Sequence, residues 1–389
     1  MNKNITEFVK YIGADDTDLD LFESQYIIPN GISYNSYVIL DEKIAVMDTI
    51  DQRKTDEWFD NLGKTLNGKT PDYLIVQHME PDHAANIGRF AEKYPNATIV
   101  ATAKAIQMMP QFFEYIDFAE RTLAVKEGEK LCLGKHTLNF IMAPMVHWPE
   151  VMLTYEESEK ILFSADAFGK FGALCHEEDW ACEARRYYFN IVGKYGVQVQ
   201  TLLKKASALD IATICPLHGP ILTEDLGYYI GLYDTWSSYR PETEGVLVAY
   251  ASIHGNTAIA AKKIADILKE KGAQKVAITD LSRDDMAEAV EDAFRYGKMI
   301  VAASSYDAGL FPPMHDFLHH LKIKNFQNRR VGIIENGSWA PCAGRVMQDM
   351  FGQMKDITIV NPMVTIRSTM KEADLPKLEI LAEEILAEE

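Results

Sequence analysis

Within the six residues His78-Met79-Glu80-Pro81-Asp82-His83, two imidazoles and two carboxylates stand at positions i, i+2, i+4 and i+5. Side chains of these types at this density are suited to holding a metal. Two carboxylates kept so close repel one another, a cost that a solvated loop has no reason to retain and that a bound cation offsets. A single His or Asp past a strand end is, by contrast, an ordinary hydrogen-bonded loop residue; the case rests on the four together. Pro81 restricts the backbone in the middle of the run, which lets several side chains converge on one side.

Three more residues of metal-binding type stand just past buried runs. His147 follows Phe140-Ile141-Met142-Ala143-Pro144, Asp166 follows Ile161-Leu162-Phe163-Ser164, and His218 follows Ile211-Ala212-Thr213-Ile214-Cys215-Pro216. Each alone reads equally well as a capping or turn residue, Asp166 before Ala167-Phe168-Gly169 above all. Together with the first four they make a set of four imidazoles and three carboxylates, enough for two metals sharing a bridging carboxylate. A second constellation lies further on. Ser252-Ile253-His254-Gly255-Asn256-Thr257 opens a helix expected over 258–271, and hydroxyls, a glycine and exposed amides at a helix N-terminus make a phosphate cradle that needs no lysine. Two further loops, Ser304-Ser305-Tyr306-Asp307-Ala308-Gly309 and Glu335-Asn336-Gly337-Ser338-Trp339, also follow apolar strands. No G-x-G-x-x-G run is present, which argues against a dinucleotide.

The elements that must position these residues follow from the apolar pattern. Tyr73-Leu74-Ile75-Val76, preceded by the turn formers Lys69-Thr70-Pro71-Asp72, reads as a buried strand opening into a loop that carries the first four ligands. A strand meander is expected from Ser33 to Asp48, then helices near 52–62, 87–93 and 104–113 around a strand at 97–101, and strands at 131–133, 136–143, 152–155 and 161–164. This mixture predicts sheets covered by helices, an α/β sandwich with its loops gathered at one edge. Residues 182–206 read as mainly helical, with Arg185-Arg186-Tyr187-Tyr188 as a packed face with a solvated edge. After a helix near 224–239 the polar link Arg240-Pro241-Glu242-Thr243-Glu244 ends a first domain, 1–243. Gly245-Val246-Leu247-Val248-Ala249-Tyr250 then begins a second domain, 244–389, of alternating strands and helices, in which the three later loops would meet at the carboxyl edge of an open parallel sheet.

Composition narrows the function classes. The 389 residues are 47% hydrophobic and 25% charged, as in an ordinary folded soluble protein, and the balance of 39 basic against 57 acidic side chains gives −18. That charge repels nucleic acid and anionic membranes, so no nucleic-acid role is expected. No apolar leader or spanning run is evident, so no membrane role and a cytoplasmic location are expected. The five cysteines, Cys132, Cys175, Cys182, Cys215 and Cys342, contain no C-x-x-C pair. They are expected to be reduced thiols, and a built-in rubredoxin-type iron site is excluded.

The pattern H-x-E-x-D-H followed by His147, Asp166 and His218 resembles the diiron site of the flavodiiron proteins, and the later loops resemble the FMN site of flavodoxin. Hydrolases of the metallo-β-lactamase fold usually carry H-x-H-x-D-H, so Glu80 puts an anionic oxygen where they have a neutral nitrogen. Three carboxylates favour iron and its ferric state over zinc. The resemblance spans essentially the whole chain. It implies an N-terminal metallo-β-lactamase-like αββα sandwich followed by a flavodoxin-like doubly wound parallel sheet, the minimal two-domain form. It also implies two iron ions: one on His78, Glu80 and His147, the other on Asp82, His83 and His218, with Asp166 bridging. In some members the position of His83 does not bind metal directly. FMN would be held by Ser252, Ile253, His254, Gly255, Asn256, Thr257, Ser305, Tyr306, Asp307, Ala308, Gly309, Gly337, Ser338 and Trp339, with Trp339 or Tyr306 flanking the isoalloxazine. The implied activity is reduction of dioxygen to water, nitric oxide to nitrous oxide, or both, with no catalytic side chain beyond the metal ligands. An external donor such as rubredoxin or a flavin reductase would supply electrons, and a head-to-tail homodimer or dimer of dimers would bring each FMN to the partner's diiron site. Two alternatives stand beside it: a dimetal zinc hydrolase with an accessory flavodoxin domain, and a non-catalytic electron carrier.

Overall fold

Short apolar runs bounded by turn residues become strands throughout the computed structural model, which describes residues 4–387. The chain forms two compact units. One comprises the residues up to Tyr188 with Val197–Asp234; the other comprises Phe189–Gly196 with the residues from Thr235 onward.

In the first unit two sheets face one another. The first runs in the order Val9–Tyr11, Tyr37–Ile39, Ala45–Met47, Tyr73–Val76, Thr98–Thr102, Thr122–Val125. The second runs Lys130–Cys132, Thr137–Met142, Met152–Glu156, Ile161–Phe163, Thr213–Cys215. Ile39, Met47, Ile75 and Val100 of the first pack with Leu138, Phe140, Met152 and Phe163 of the second in one continuous core. Burial of both faces explains why the central strands read as unbroken apolar runs rather than alternating ones. Trp58 and Leu62 of the helix Thr55–Leu66 and Ile87 and Phe90 of the helix Ile87–Lys93 are also fully buried. The strand Thr122–Val125, whose middle is exposed, and the short strands before Ser33 were not expected from the pattern.

Register positions the polar residues. Ile161–Phe163 and Thr213–Cys215 are parallel neighbours with Phe163 opposite Cys215, so Asp166 and His218, each three residues further on, emerge side by side. Met152 N–H donates to the Gln77 carbonyl at 3.1 Å, which draws the end of the second sheet against the residue preceding His78. The first four candidate ligands are not all in a loop as expected: Pro81 opens a one-turn helix, Pro81–Ala84, that carries Asp82 and His83. Proline suits that first helical position because its missing N–H would be unpaired there in any case. The expected single helical stretch at 182–206 is broken into the helices Trp180–Tyr187 and Gly196–Ala206 by a wider π turn at Tyr188–Val192.

The second unit is an open sheet ordered Val276–Asp280, Thr243–Ala251, Tyr296–Tyr306, Gln327–Asn336, Lys355–Ile359, all parallel. In order along the chain these are strands two, one, three, four and five, so the reversal of winding lies between Thr243–Ala251 and Tyr296–Tyr306. Ile264 and Leu268 of the helix Asn256–Glu270 and Leu378 and Leu381 of the helix Leu375–Leu386 pack with Val246, Val248, Ile300 and Ile334 on one face. Among the described residues no helix is long and apolar enough to cross a membrane, and all five cysteines are free thiols.

A buried aspartate with two partly exposed cations anchors the small sheet whose Ser33 carbonyl faces His218. Ala14–Asp16 pairs antiparallel with Ile32–Tyr34, and the Asp16 carboxylate, fully shielded, accepts from Arg53 Nε at 2.5 Å, with Lys54 Nζ at 3.7 Å. Burial works to raise the Asp16 carboxyl, but the Arg53 hydrogen bond, the Asp18 amide and Lys54 outweigh it and hold it below the ordinary carboxylate value. A lowered carboxyl stabilises the fold above its unfolded value of about 4, and that contribution fades as pH falls through the lowered one. Asp16→Asn should therefore cost about 1–2 kcal/mol at neutral pH. Urea unfolding followed by circular dichroism should show that difference shrinking in acid; a constant difference across pH would disprove the assignment.

Candidate metal centre and cofactor pocket

The seven polar residues singled out in the first unit converge. Nε2 of His78 and Nε2 of His147 lie 3.2 and 2.9 Å from Oε2 of Glu80, and 3.2 and 3.4 Å from Oδ2 of Asp166. Nε2 of His83 and of His218 lie 3.4 and 3.1 Å from Oδ2 of Asp82, and 3.1 Å from each other. They lie 4.0 and 3.8 Å from Oδ1, the other oxygen of Asp166. Two groups result, His78, Glu80, His147 and Asp166, and Asp82, His83 and His218; within each, one donor atom per residue lies within 4.8 Å of the others. Asp166 turns one oxygen toward each group.

The donor set fits a pair of cations. Both Asp166 oxygens and Asp82 Oδ1 are buried without a geometrically sound hydrogen bond, a concentration of unsatisfied polar atoms that protein interiors otherwise avoid. Glu80, half-buried, is the most open of the set. Hydrogen bonds aim two of the rings: His78 Nδ1 meets Glu150 Oε1 at 3.0 Å, and His218 Nδ1 meets the Ser33 carbonyl at 2.7 Å. The Trp148 ring stands edge-on to His78, centroids 5.4 Å apart at 89°.

Sequence reasoning did not find several residues around these groups. Glu150 and Ser33 carry no signal of their own, since only the fold brings them to an imidazole. Glu23 sits at the tip of the hairpin Leu21–Phe22/Tyr26–Ile27 in a left-handed conformation, φ 47°. Though the residue is exposed overall, its carboxyl is turned toward Glu80, and partial desolvation there with the Glu80 charge pushes it up to about 7. Tyr187 lies with its ring centroid 5.5 Å from that of His218. The expected solvated edge of Arg185-Arg186-Tyr187-Tyr188 is absent: all four are at most 2% exposed, because the helix is packed on every side here.

In the second unit, a cavity of about 750 Å³ opens at the carboxyl edge of the sheet. Of the expected residues, Ser252, Ile253, His254, Asn256, Thr257, Ser305, Tyr306, Asp307, Ala308, Gly337, Ser338 and Trp339 line it; Gly255 and Gly309 do not. Gly255 instead shapes the cradle, since its φ of 87° just before the helix Asn256–Glu270 is a conformation that side chains resist. Thr257 Oγ1 is 2.8 Å from Ser304 Oγ, and Ser305 Oγ accepts from the Cys342 and Ala343 amides at 2.8 and 3.1 Å, tying the three loops together. Trp339 is 88% exposed and Tyr306 44%, so both stand at the cavity rim rather than at the edge of a core. Asn336, within one of the loops singled out, also lines the cavity, and Arg345 and Ser368, which were not anticipated, join it. Amides and hydroxyls at a helix N-terminus, an arginine and two exposed aromatic rings fit a phosphorylated aromatic ligand, and FMN meets that description.

Fold and sites together define a two-metal flavoprotein, and comparison with known proteins agrees. Residues 32–219 match the model of the ODP family beta lactamase. An uncharacterized protein of Methanocaldococcus jannaschii is 30% identical over 95% of this chain and 94% of its own. A nitric oxide reductase of Moorella thermoacetica is 28% identical over 98% of each chain. The structure of rubredoxin oxygen:oxidoreductase from Desulfovibrio gigas covers 98% of this chain and 97% of its own at 26% identity, with a TM-score of 0.90. This chain belongs to the flavodiiron protein family.

The charge around the ligands predicts a proton count. Burial lowers the His147 imidazole, but the adjacent Asp166 and Glu80 carboxylates outweigh it and push it up to about 9; His78 is likewise raised well above its ordinary value, burial being overcome by Asp166, Glu150 and Glu80. Protein stripped of metal therefore carries protons on these rings at neutral pH, and a cation must expel them. Metal uptake at pH 7 should release protons, and affinity should climb as pH is raised toward about 9. Calorimetry in buffers of different ionisation enthalpy gives the count; uptake without proton release would contradict the protonation assigned here.

Proposed function

We propose that this chain reduces dioxygen to water, nitric oxide to nitrous oxide, or both, at a diiron centre supplied with electrons by FMN. The observation that carries the reading is Asp166, buried, with one unpaired oxygen toward each ligand group. His78, Glu80 and His147 would hold one iron and Asp82, His83 and His218 the other, with Asp166 shared. When bound, the irons supply a binding and reducing site for the gas, and the flavin supplies electrons two at a time. The chain's part is to hold both irons at a fixed spacing, keep the ring tautomers set through Glu150 and Ser33, and wall the site with Phe22, Phe171 and Tyr187, whose rings pack against one another beside His218.

The named relatives support both substrates: one is a nitric oxide reductase and one a rubredoxin oxygen:oxidoreductase. A zinc hydrolase of the same fold is less well supported, because Glu80 adds a third carboxylate to the set and the second unit carries a built cofactor pocket. The deciding experiment is anaerobic turnover with each gas and a reduced donor such as rubredoxin or a flavin reductase, alongside metal analysis. About two irons per chain and consumption of at least one gas are expected. Stoichiometric zinc with ester hydrolysis and no gas consumption would overturn the reading.

The flavin assignment has its own test. Thr257→Asp places an anion in the phosphate cradle, so the yellow chromophore should be lost while iron is retained. Stoichiometric FMN in that variant would move the cofactor elsewhere.

We further propose a head-to-tail homodimer in which each FMN serves the partner's diiron site. Thr257→Asp chains reassociated with chains carrying both His78→Ala and Asp166→Ala should then recover roughly a quarter of wild-type activity, since each mixed dimer pairs one intact flavin with one intact metal site. Mixed dimers confirmed by mass but inactive would rule that arrangement out.

A further inference from the structure

The outer ring nitrogens of the metal-site histidines are not held alike. Nδ1 of His78 meets Oε1 of Glu150 at 3.0 Å, and that oxygen also accepts the Met79 N–H at 2.8 Å. Nδ1 of His218 meets a neutral backbone carbonyl, that of Ser33, and Nδ1 of His83 is buried without a partner. Glu150 is only 2% exposed, and its second oxygen, Oε2, is also buried and unpartnered. A buried carboxylate with one oxygen unsatisfied is costly unless its charge acts on something nearby.

That charge falls on one side of the centre. His78 and His147 are served by Glu80, by their share of Asp166 and, through His78, by Glu150; His83 and His218 are served by Asp82 and their share of Asp166. A carboxylate that accepts the outer N–H of an imidazole fixes its tautomer and raises the basicity of the inner nitrogen, and a backbone carbonyl does so less. In a buried site the additional negative charge is also weakly screened.

We infer that Glu150 is a positioning residue that makes the two metal positions unequal: the position at His78, Glu80 and His147 takes a divalent cation first and holds it more tightly than the position at Asp82, His83 and His218. The inference rests on the two-metal reading proposed above, and its test separates the two.

Metal-free wild-type protein is titrated anaerobically with cobalt(II), followed by its visible absorption. Two resolved steps are expected. His83→Ala should abolish the second and leave the first. Glu150→Gln keeps the side-chain shape and an oxygen for the Met79 amide but removes the charge; it should weaken the first step about 10- to 100-fold and leave the second within about threefold. FMN content and circular dichroism establish that the variant is folded. Glu150→Asp, which keeps the charge but withdraws it from His78, should also weaken the first step alone and decides the matter if the glutamine variant does not fold. Equal weakening of both steps, no change in the first, or loss of the first step in His83→Ala would overturn the inference. Uptake of a single cobalt by wild-type protein would instead overturn the two-metal reading.

Discussion

Mutual repulsion among buried carboxylates is the constraint from which the first unit takes its form. Asp82 and Asp166 are buried and Glu80 half-buried, so water screens the three poorly, and four imidazoles alone leave several of their oxygens unpaired. Cations relieve that repulsion, and until they bind, protons on the imidazoles and a stiff scaffold must resist the spreading of the charges. Two sheets sharing one core supply that stiffness, with every ligand set within a few residues of a strand whose side chains are almost wholly buried.

The second unit uses the same device with the opposite sign. Its loops also gather at the carboxyl ends of parallel strands, but there they bring together amides, hydroxyls and Arg345, groups suited to an anion, where the first unit gathers carboxylates suited to cations. Parallel strands leave all their outgoing loops at one edge, so groups far apart in the chain converge whatever chemistry they carry. In the first unit Asp166 and His218 show this most directly, as paired strands deliver residues fifty-two positions apart to adjoining places.

Much of this was legible in the sequence, for a physical reason. The candidate ligands are types rarely clustered without a purpose, and they follow short apolar runs bounded by turn formers, which read as strands. His78, Glu80, Asp82, His83, His147, Asp166 and His218 could therefore be singled out together, and the division into two ligand groups followed from the family resemblance. Residues that act by supporting a ligand were not legible. Glu150, Ser33 and Glu23 reach their partners only through tertiary folding, and a glutamate in a turn looks the same whether or not an imidazole lies opposite. Tyr187 was visible as part of an unusual charged and aromatic run, but the periodicity said nothing about the buried site beside it. Trp339 and Tyr306, expected to flank a flavin ring, both line the cavity and stand exposed at its rim.

The assignment of Phe189–Gly196 to the second unit, while the residues on both sides belong to the first, bears on how the protein can be taken apart. Within that unit the Phe189 ring stacks on Phe294, centroids 4.3 Å apart at 13°, the Asn190 amide donates to the Ala287 carbonyl, and Lys324 Nζ donates to the Asn190 carbonyl. Severing the chain once near residue 243 leaves this eight-residue segment on the wrong fragment and the cofactor-binding piece without a part of its core. Exchange of the flavin half between relatives by a single crossover would carry the same defect. Modular recombination of this protein therefore needs to move the segment along with the C-terminal half.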